Sequence, residues 1–380
     1  MRIVEANTKQ TQKAFLNFRR RIYKDSVYVD NNYILAQEVF GGKLHFVTEM
    51  DIFPIMVIED GKTDNSESEI CFDPNIDHNG FGRVLCEGMI VYTKELPDYV
   101  QLCFFESEPE ADEAVNCLLE YAVTKGRERK AKKLVVGLYG HVNYGLGLLS
   151  SHFDHKNSFS SGCNPEYYID YFKKQSFEEI GLNSYVIEAV DQRLDRYGAL
   201  IRKLERNYEF RYFDKKNYDF WAELYTDLNN ECFAGHRYYY RRQYIDDKEM
   251  LKELFLFMKE DSLIFAFHDG EPAGFIMWYP DYNELAKPGE VFGAKHFMKN
   301  VFMNKKIKTA KIMEFGVRED YQKAGLPLGL VYKVGEAMKH YGCTRVESSW
   351  ILAENSDSNS VCAAICDGIY KTYSVFEKGI

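Results

Sequence analysis

The residues best suited to chemistry lie in one run, Lys311-Ile-Met-Glu-Phe-Gly-Val-Arg-Glu-Asp-Tyr-Gln-Lys-Ala-Gly-Leu-Pro-Leu-Gly329. A strand-forming stretch ends at Val317, a polar loop follows with Gln322 and Gly325, and apolar residues at helical spacing come next. A pyrophosphate needs converging N–H donors and little steric bulk. The first turn of a helix supplies unpaired N–H groups and the positive end of the helix dipole. Gly325 lets the backbone turn tightly and approach phosphate oxygens, while Arg318 and Lys323 add charge from the rim. Pro327 removes one N–H from this cradle, although proline suits a first helical turn. Glu314 puts a carboxylate, a side chain able to act as a general base, in the strand leading to the loop. The other reading of Glu314 is a glutamate facing the opposite side of the sheet in a salt bridge.

Other constellations are weaker. Asp281-Tyr282-Asn283, just after a strand, offers a carboxylate and an amide to a substrate, or makes an Asx-type turn with no ligand. Arg237, Tyr238 to Tyr240, Arg241 and Arg242 form a basic aromatic cluster that reads first as helix packing with solvated arginines and second as a receiver for an acidic acceptor. His152 and His155 lack a nearby carboxylate pair, and Cys362 and Cys366 lack a His or second Cys pair, so no metal site is expected.

The elements that position the loop are readable from periodicity. Thr309 to Val317 predicts a strand, and Leu330, Val331, Val334, Met338 and Tyr341 mark the inner face of a helix stopped by Gly342. Arg345 to Trp350 predicts the next strand. Upstream, Leu263 to His268 and Ala273 to Tyr279 read as strands around the turn Asp269-Gly270. The same order occurs earlier. Strands are expected at Val84 to Tyr92 and Tyr99 to Glu106, a helix with Ala111, Ala114, Val115, Leu118, Leu119 and Ala122 on one face, and a strand at Lys133 to Leu138. Such repetition predicts a duplicated α/β unit. The charged segment Asp191 to Arg211 is the expected join, with Leu194, Tyr197, Leu200, Ile201 and Leu204 at helical spacing, which divides the chain into 1–190 and 191–380. The polar runs Asp60 to Glu69 and Asp73 to Gly82 read as a surface excursion.

At 380 residues the chain exceeds what one ordinary core supports, and 46% hydrophobic and 15% aromatic content indicates a globular protein throughout. A net charge of -10 gives no attraction to nucleic acid or anionic lipid. No stretch approaches the ~18 apolar residues of a membrane helix and the start lacks a signal-peptide core, so no integral membrane association and a cytoplasmic location are expected. Nine scattered cysteines without a Cys-x-x-Cys pair read as reduced thiols.

The loop from Val317 through Gln322 and Gly325 resembles the acyl-CoA-binding motif of the GNAT superfamily, with Pro327 where the pattern has Gly or Ala. A wider resemblance to the YghO-like group of tandem-GNAT putative acyltransferases rests on Phe15-Leu-Asn-Phe-Arg-Arg-Arg-Ile-Tyr-Lys24, Asn164-Pro-Glu-Tyr-Tyr168, Pro280-Asp-Tyr-Asn283, Trp350-Ile-Leu-Ala-Glu-Asn355 and Tyr370 to Lys378. The chain departs at Ile365-Cys366, where the group tends to carry Leu-Gly. The resemblance implies an α/β (α+β) fold of two tandem GNAT-like domains, each a mixed central sheet flanked by helices. It implies acyl transfer from acetyl-CoA or a longer acyl-CoA to a small-molecule, lipid-like or peptide amine, with no metal. Phe315, Val317, Gln322, Lys323, Ala324, Gly325, Leu326, Leu328 and Asn355 would hold the donor, and a backbone N–H near Phe315 or Val317 would polarise the carbonyl if the strand splays. Asn355 can equally cap the next helix. The usual tyrosine acid, about seven residues beyond an asparagine, is replaced by Cys362 or Cys366, which leaves Tyr370 or Tyr373 as candidates. In the first half, Cys103-Phe-Phe-Glu-Ser-Glu-Pro-Glu-Ala111 has no glycine and three glutamates, so no donor site is expected there, and Ser107 with Glu110 has capping-box spacing. Two alternatives stay open: a non-catalytic acyl-CoA sensor, and a FemABX-like aminoacyl transferase. Acceptor identity and oligomeric state are not encoded in any recognisable feature.

Overall fold

The computed structural model describes residues 1–42, 44–59, 82–254, 258–303 and 306–380. The expected surface excursion falls on residues 60–81, outside that set.

The first half contains β1 (Arg2–Glu5), α1 (Lys9–Tyr23), α2 (Asn32–Gly41), α3 (His45–Thr48), β2 (Met50–Glu59), β3 (Arg83–Thr93) and β4 (Tyr99–Ser107). It continues with α4 (Asp112–Glu128), β5 (Lys133–Val136), β6 (Leu148–Leu149), α5 (Tyr167–Lys174) and β7 (Glu178–Ile187). Two short helices, α6 (Val190–Asp195) and α7 (Gly198–Leu204), occupy the segment expected to be the join. Leu194, Ile201 and Leu204 are buried there as their spacing predicts, whereas Leu200 is exposed. The second half contains β8 (Glu209–Tyr212), α8 (Tyr218–Cys232), α9 (Tyr244–Leu254), β9 (Leu263–His268), β10 (Glu271–Pro280), α10 (Ala294–Met303) and β11 (Thr309–Val317). It ends with α11 (Leu326–Tyr341), β12 (Arg345–Ser348), β13 (Ile351–Leu352), α12 (Ser356–Ile365) and β14 (Gly368–Gly379).

Local chemistry explains the main elements. Asp269 and Gly270 both take positive φ, 49° and 86°, which makes the tight turn that the twist of the β9–β10 hairpin favours. Leu330, Val334 and Met338 are buried along one face of α11, and Gly342 at φ 75° ends it by donating its N–H to the carbonyls of Met338 and Lys339. The matching face of α4, Ala114, Val115, Leu118, Leu119 and Ala122, is buried on the first half of the sheet.

One continuous mixed sheet runs β1-β2-β3-β4-β5-β14-β7-β12-β11-β10-β9-β8. Each half has a parallel pair at its centre, β4 with β5 and β11 with β12, amid antiparallel neighbours. The last strand of each half then pairs with the other half. β14 lies against β5, Phe376 opposite Val136, and β7 lies against β12, Val346 opposite Ile187. β14 and β7 also pair with each other from Gly368↔Val186 to Glu377↔Glu178. The halves are therefore joined by exchanged strands at the middle of the sheet.

Within the first half, a buried polar joint ties the helices to the sheet. Arg19, 1% exposed, donates from Nε and Nη2 to Asp30 at 2.8–3.0 Å and from Nη1 to Glu106. Glu106 also accepts from Tyr23 at 3.2 Å and Tyr168 at 2.8 Å, so α1, β4 and α5 meet at one carboxylate. Burial lifts that carboxyl to about 7 even beside Arg19. An Arg19→Ala substitution would leave two carboxylates buried without their cation and should cost about 3–5 kcal/mol of stability in chemical denaturation.

Candidate active site

β11 has two neighbours along only part of its length. Its pairing with β12 runs from Thr309↔Arg345 to Ile312↔Ser348, and the N–H of Ser349 to the Ile312 carbonyl, at 2.8 Å, is the last link. The chain then turns away, because Ile351 and Leu352 pair with β7 instead. At that point the β10–β11 register shifts by one residue, with Glu314 opposite Met277 and Ile312 opposite Trp278, so Met313 is a bulge. From Met313 to Val317 the strand is paired with β10, and among the described residues no strand pairs with its other edge. The N–H of Arg318 bonds the Ala273 carbonyl at 3.0 Å, so alternation turns the backbone groups of Gly316 and Glu314 to β10 and those of Phe315 and Val317 to the open edge. Gln322 agrees with this, since its Nε2 donates to the Val317 carbonyl at 3.0 Å.

That edge leads to the start of α11. A short 3₁₀ helix, Glu319–Ala324, connects to Gly325, which is the N-cap at φ 79°. Gly325 has no side chain with which to cap α11, and the first intrahelical bond among the described residues is Gly329 N–H to Gly325 O at 3.2 Å. The N–H groups before Gly329 belong to the set a helix leaves unpaired, minus the one Pro327 lacks. Glu319 and Asp320 lie at the opposite end of the 3₁₀ helix from Gly325, while Lys323 beside it is exposed. Arg318 is committed elsewhere, to the Pro272 carbonyl and to Glu231, both at 3.0 Å. Backbone donors, a left-handed glycine and a nearby lysine fit a pyrophosphate. A Cβ on Gly325 would meet Leu204 at 3.5 Å, an ordinary contact, so the obstacle to a side chain there is conformational. Gly325→Ala should therefore cost roughly 1–2 kcal/mol from the left-handed φ alone, and calorimetry with coenzyme A should show weaker binding.

Glu314 sits midway along the open stretch, half-buried. Its Oε2 accepts from the Tyr225 hydroxyl and from Asn229 Nδ2 at 3.0 Å, which settles its side-chain direction toward α8 and not into a salt bridge. Burial raises its carboxyl above the ordinary range, against the pull of these two donors. Tyr225 and Asn229, both fully buried, are four residues apart on one helix face. They were not singled out in the sequence. The available signal was the run of Thr226, Asn229 and Asn230 among the buried residues of α8.

The remaining candidates are distributed elsewhere. Tyr370 donates to or accepts from His155 Nδ1 at 2.8 Å and lies under the Arg345 guanidinium, 4.6 Å from the ring centre. Arg345 pairs with Thr309, five residues back along β11 from Glu314, so Tyr370 marks the far end of the strand. Asn355 caps α12, accepting from Ser358 N–H at 3.0 Å. Asp281, Tyr282 and Asn283 are all buried in the seam between the halves. Asp281 accepts from the N–H of Phe159 at 2.8 Å and of Asn283 at 3.1 Å, the second being an Asx turn, and burial lifts its carboxyl to about 7. Asn283 exchanges side-chain hydrogen bonds with Asn31. Of the basic aromatic cluster, Arg242 is buried on Asp247 and Tyr238 donates to Glu377. Among the described residues no group of three His, Cys, Asp or Glu could hold a metal ion, and no helix is long and apolar enough to cross a membrane.

Residues 218–364, which include α8, the opened strand and α11, match the model of the acetyltransferase (GNAT) family. A tandem GNAT protein from the clavulanic acid biosynthesis pathway superposes on 100% of this chain and 98% of its own with TM-score 0.53 at 10% identity. This is a tandem GNAT fold. A GCN5-related N-acetyltransferase from Sphaerobacter thermophilus covers 99% of the chain and 95% of its own length, with TM-score 0.50 and 10% identity. In sequence, the chain is 23% identical over 291 residues to the bacterial ceramide synthase of Caulobacter vibrioides, spanning 71% of this chain and 73% of that protein.

The first GNAT half has the same opening in its sheet, since β4 pairs with β5 only from Tyr99↔Lys133 to Leu102↔Val136. Its loop is occupied by protein. Tyr168 Oη accepts from the Ser107 N–H at 2.7 Å, Tyr171 Oη accepts from Ala111 N–H at 3.0 Å, and Tyr167 donates to the Ser107 carbonyl at 2.6 Å. The capping box expected from Ser107 and Glu110 does not form, because Ala111 is the N-cap and Glu110 takes φ 60°. Tyrosines of α5 satisfy those backbone groups in its place.

Proposed function

We propose that this protein is an N-acyltransferase that takes its acyl group from acyl-CoA at the second GNAT half, within 191–380, while the first half, 1–190, has no donor site. The observation that carries this reading is the half-open β11, which runs past Glu314 to the uncapped start of α11. Bound acyl-CoA would supply the activated thioester. The N–H groups of Gly325, Leu326 and Leu328, with Lys323, would hold its pyrophosphate, and Phe315 and Val317 would bond the pantetheine arm along the open edge. Glu314 would accept the proton of the attacking amine on its carboxylate, directly or through water. The N–H of Phe315 or Val317 would stabilise the oxyanion. Tyr225 and Asn229 keep the Glu314 carboxylate oriented meanwhile.

For the acceptor we favour a lipid-like amine. A ceramide is an amide, and the likeness to a bacterial ceramide synthase extends over most of both chains. The test is calorimetry and thermal shift with coenzyme A, acetyl-CoA and palmitoyl-CoA, followed by thiol release with a panel of amines that includes long-chain amino alcohols. A ligand at 100 times its Kd should add about 2.7 kcal/mol of stability. Absence of heat with every CoA species would remove the donor assignment, and binding without thiol release from any amine would favour a sensor.

A further inference from the structure

The first half reaches into the candidate active site of the second through one loop. Gln101 of β4 grips Gly140, accepting its N–H at 2.8 Å and donating to its carbonyl at 3.1 Å. His141 follows, fully buried. Its Nδ1 accepts the N–H of Asn143 at 3.1 Å, so Nδ1 is the bare nitrogen and Nε2 carries the hydrogen donated to the Tyr240 carbonyl at 3.0 Å. Burial and the Arg242 cation push the imidazole well below its ordinary range, which keeps it in this neutral form. Asn143 then donates from Nδ2 to Asn229 Oδ1 at 3.3 Å, and Asn229 donates from its own Nδ2 to Glu314 at 3.0 Å. An amide held at its oxygen cannot flip without losing both bonds. Tyr144, next in the loop, stacks on Phe46 with ring centres 3.8 Å apart and accepts from Arg242 at 3.3 Å, which anchors the loop on both sides.

We propose that His141 and Asn143 of the first half are positioning residues for Glu314, fixing the Asn229 amide so that its N–H points at the carboxylate. The inference rests on Glu314 as the base. The duplicated half thereby acts on the reaction through a hydrogen-bonded relay, with no group of its own on the substrate.

The other groups around Glu314 are Tyr225 of α8, Tyr279 of β10, Asp247 of α9, Arg242 and Tyr239. Asp247 raises the Glu314 carboxyl and Arg242 lowers it, so a test must leave both in place. Asn143→Ala and Asn143→Leu remove the donor without adding charge, and the leucine fills most of the volume. The readout is the titration of Glu314 in full-length protein labelled with 13C at glutamate carboxyls, assigned by loss of the resonance in Glu314→Gln. With the Asn229 amide free to turn, its donation to the charged form weakens, which should raise the midpoint by about half a unit or more in both variants. With an acyl-CoA and an amine acceptor, kcat should fall roughly tenfold while KM for acyl-CoA stays unchanged. Asn143→Ser, which restores a short hydroxyl, should give a smaller shift. An unmoved midpoint in folded Asn143→Ala or Asn143→Leu overturns the proposal. A moved midpoint in a protein whose wild type transfers no acyl group upholds the relay and rejects the enzymatic reading, so the two failures are distinguishable.

Discussion

Glu314→Gln is expected to lower kcat by about 10²–10³-fold while leaving acyl-CoA binding within a factor of two or so. The substitution is isosteric, and the glutamine oxygen can still accept from Tyr225 and Asn229, so α8 and β11 should keep their packing. What disappears is the lone pair that takes the amine proton. The donor site, by contrast, rests on the backbone groups of Phe315 and Val317 and on the loop beyond them, and has no part in that proton transfer. The pH profile adds a signed check. Burial holds the Glu314 carboxyl above the ordinary carboxylate range. The base form is therefore lost as pH falls through that raised value, and wild-type kcat/KM should decline on the acidic side. Glu314→Gln should lose that limb and keep its low rate. A glutamine variant with more than about a third of wild-type turnover would place the base elsewhere.

The second large effect is on folding. Deleting residues 368–380 removes β14 and leaves β5 and β7 each without a central partner. Tyr373, Val375 and Phe376 are each 1% exposed or less, and such side chains contribute about 1.5–3 kcal/mol apiece on burial. Together with the lost ladder, that is comparable to the ~5–15 kcal/mol that stabilises an ordinary domain. The truncated chain should show no cooperative thermal transition and should aggregate through its open edges. For the same reason 1–190 and 191–380 made separately should fail to fold, and making them together should recover a soluble complex. Cooperative melting of either fragment alone would show that the exchanged strands are dispensable.

Much of the architecture was readable from periodicity. Thr309 to Val317 has the bounds expected of it, the turn between β9 and β10 falls at Asp269-Gly270 as expected, and Gly342 ends α11. The strand after it stops at Ser348, short of Trp350, because the chain leaves β11 there to join β7. Alternation tells which face of a strand is buried and nothing about its lateral neighbour, so the exchange of β7 and β14 left no local mark. The site divides similarly. Glu314 and the glycine loop were legible because strand, loop and helix are contiguous in sequence. Tyr225, Asn229 and Asn143 were not, since they reach Glu314 from 85 to 171 residues away in the chain. Asp281 and Asn283 show the opposite error of emphasis: an Asx turn and a joint between halves can present the same residue types as a ligand site.

The exchanged strands also bear on synthesis. Domains in most tandem proteins condense in turn as they emerge from the ribosome, but here the slot between β5 and β7 waits for β14, which follows β7 by about 180 residues. Until residues 368–380 are made, the nascent first half carries an unfilled slot between β5 and β7, exposing two strand edges that the finished sheet hides.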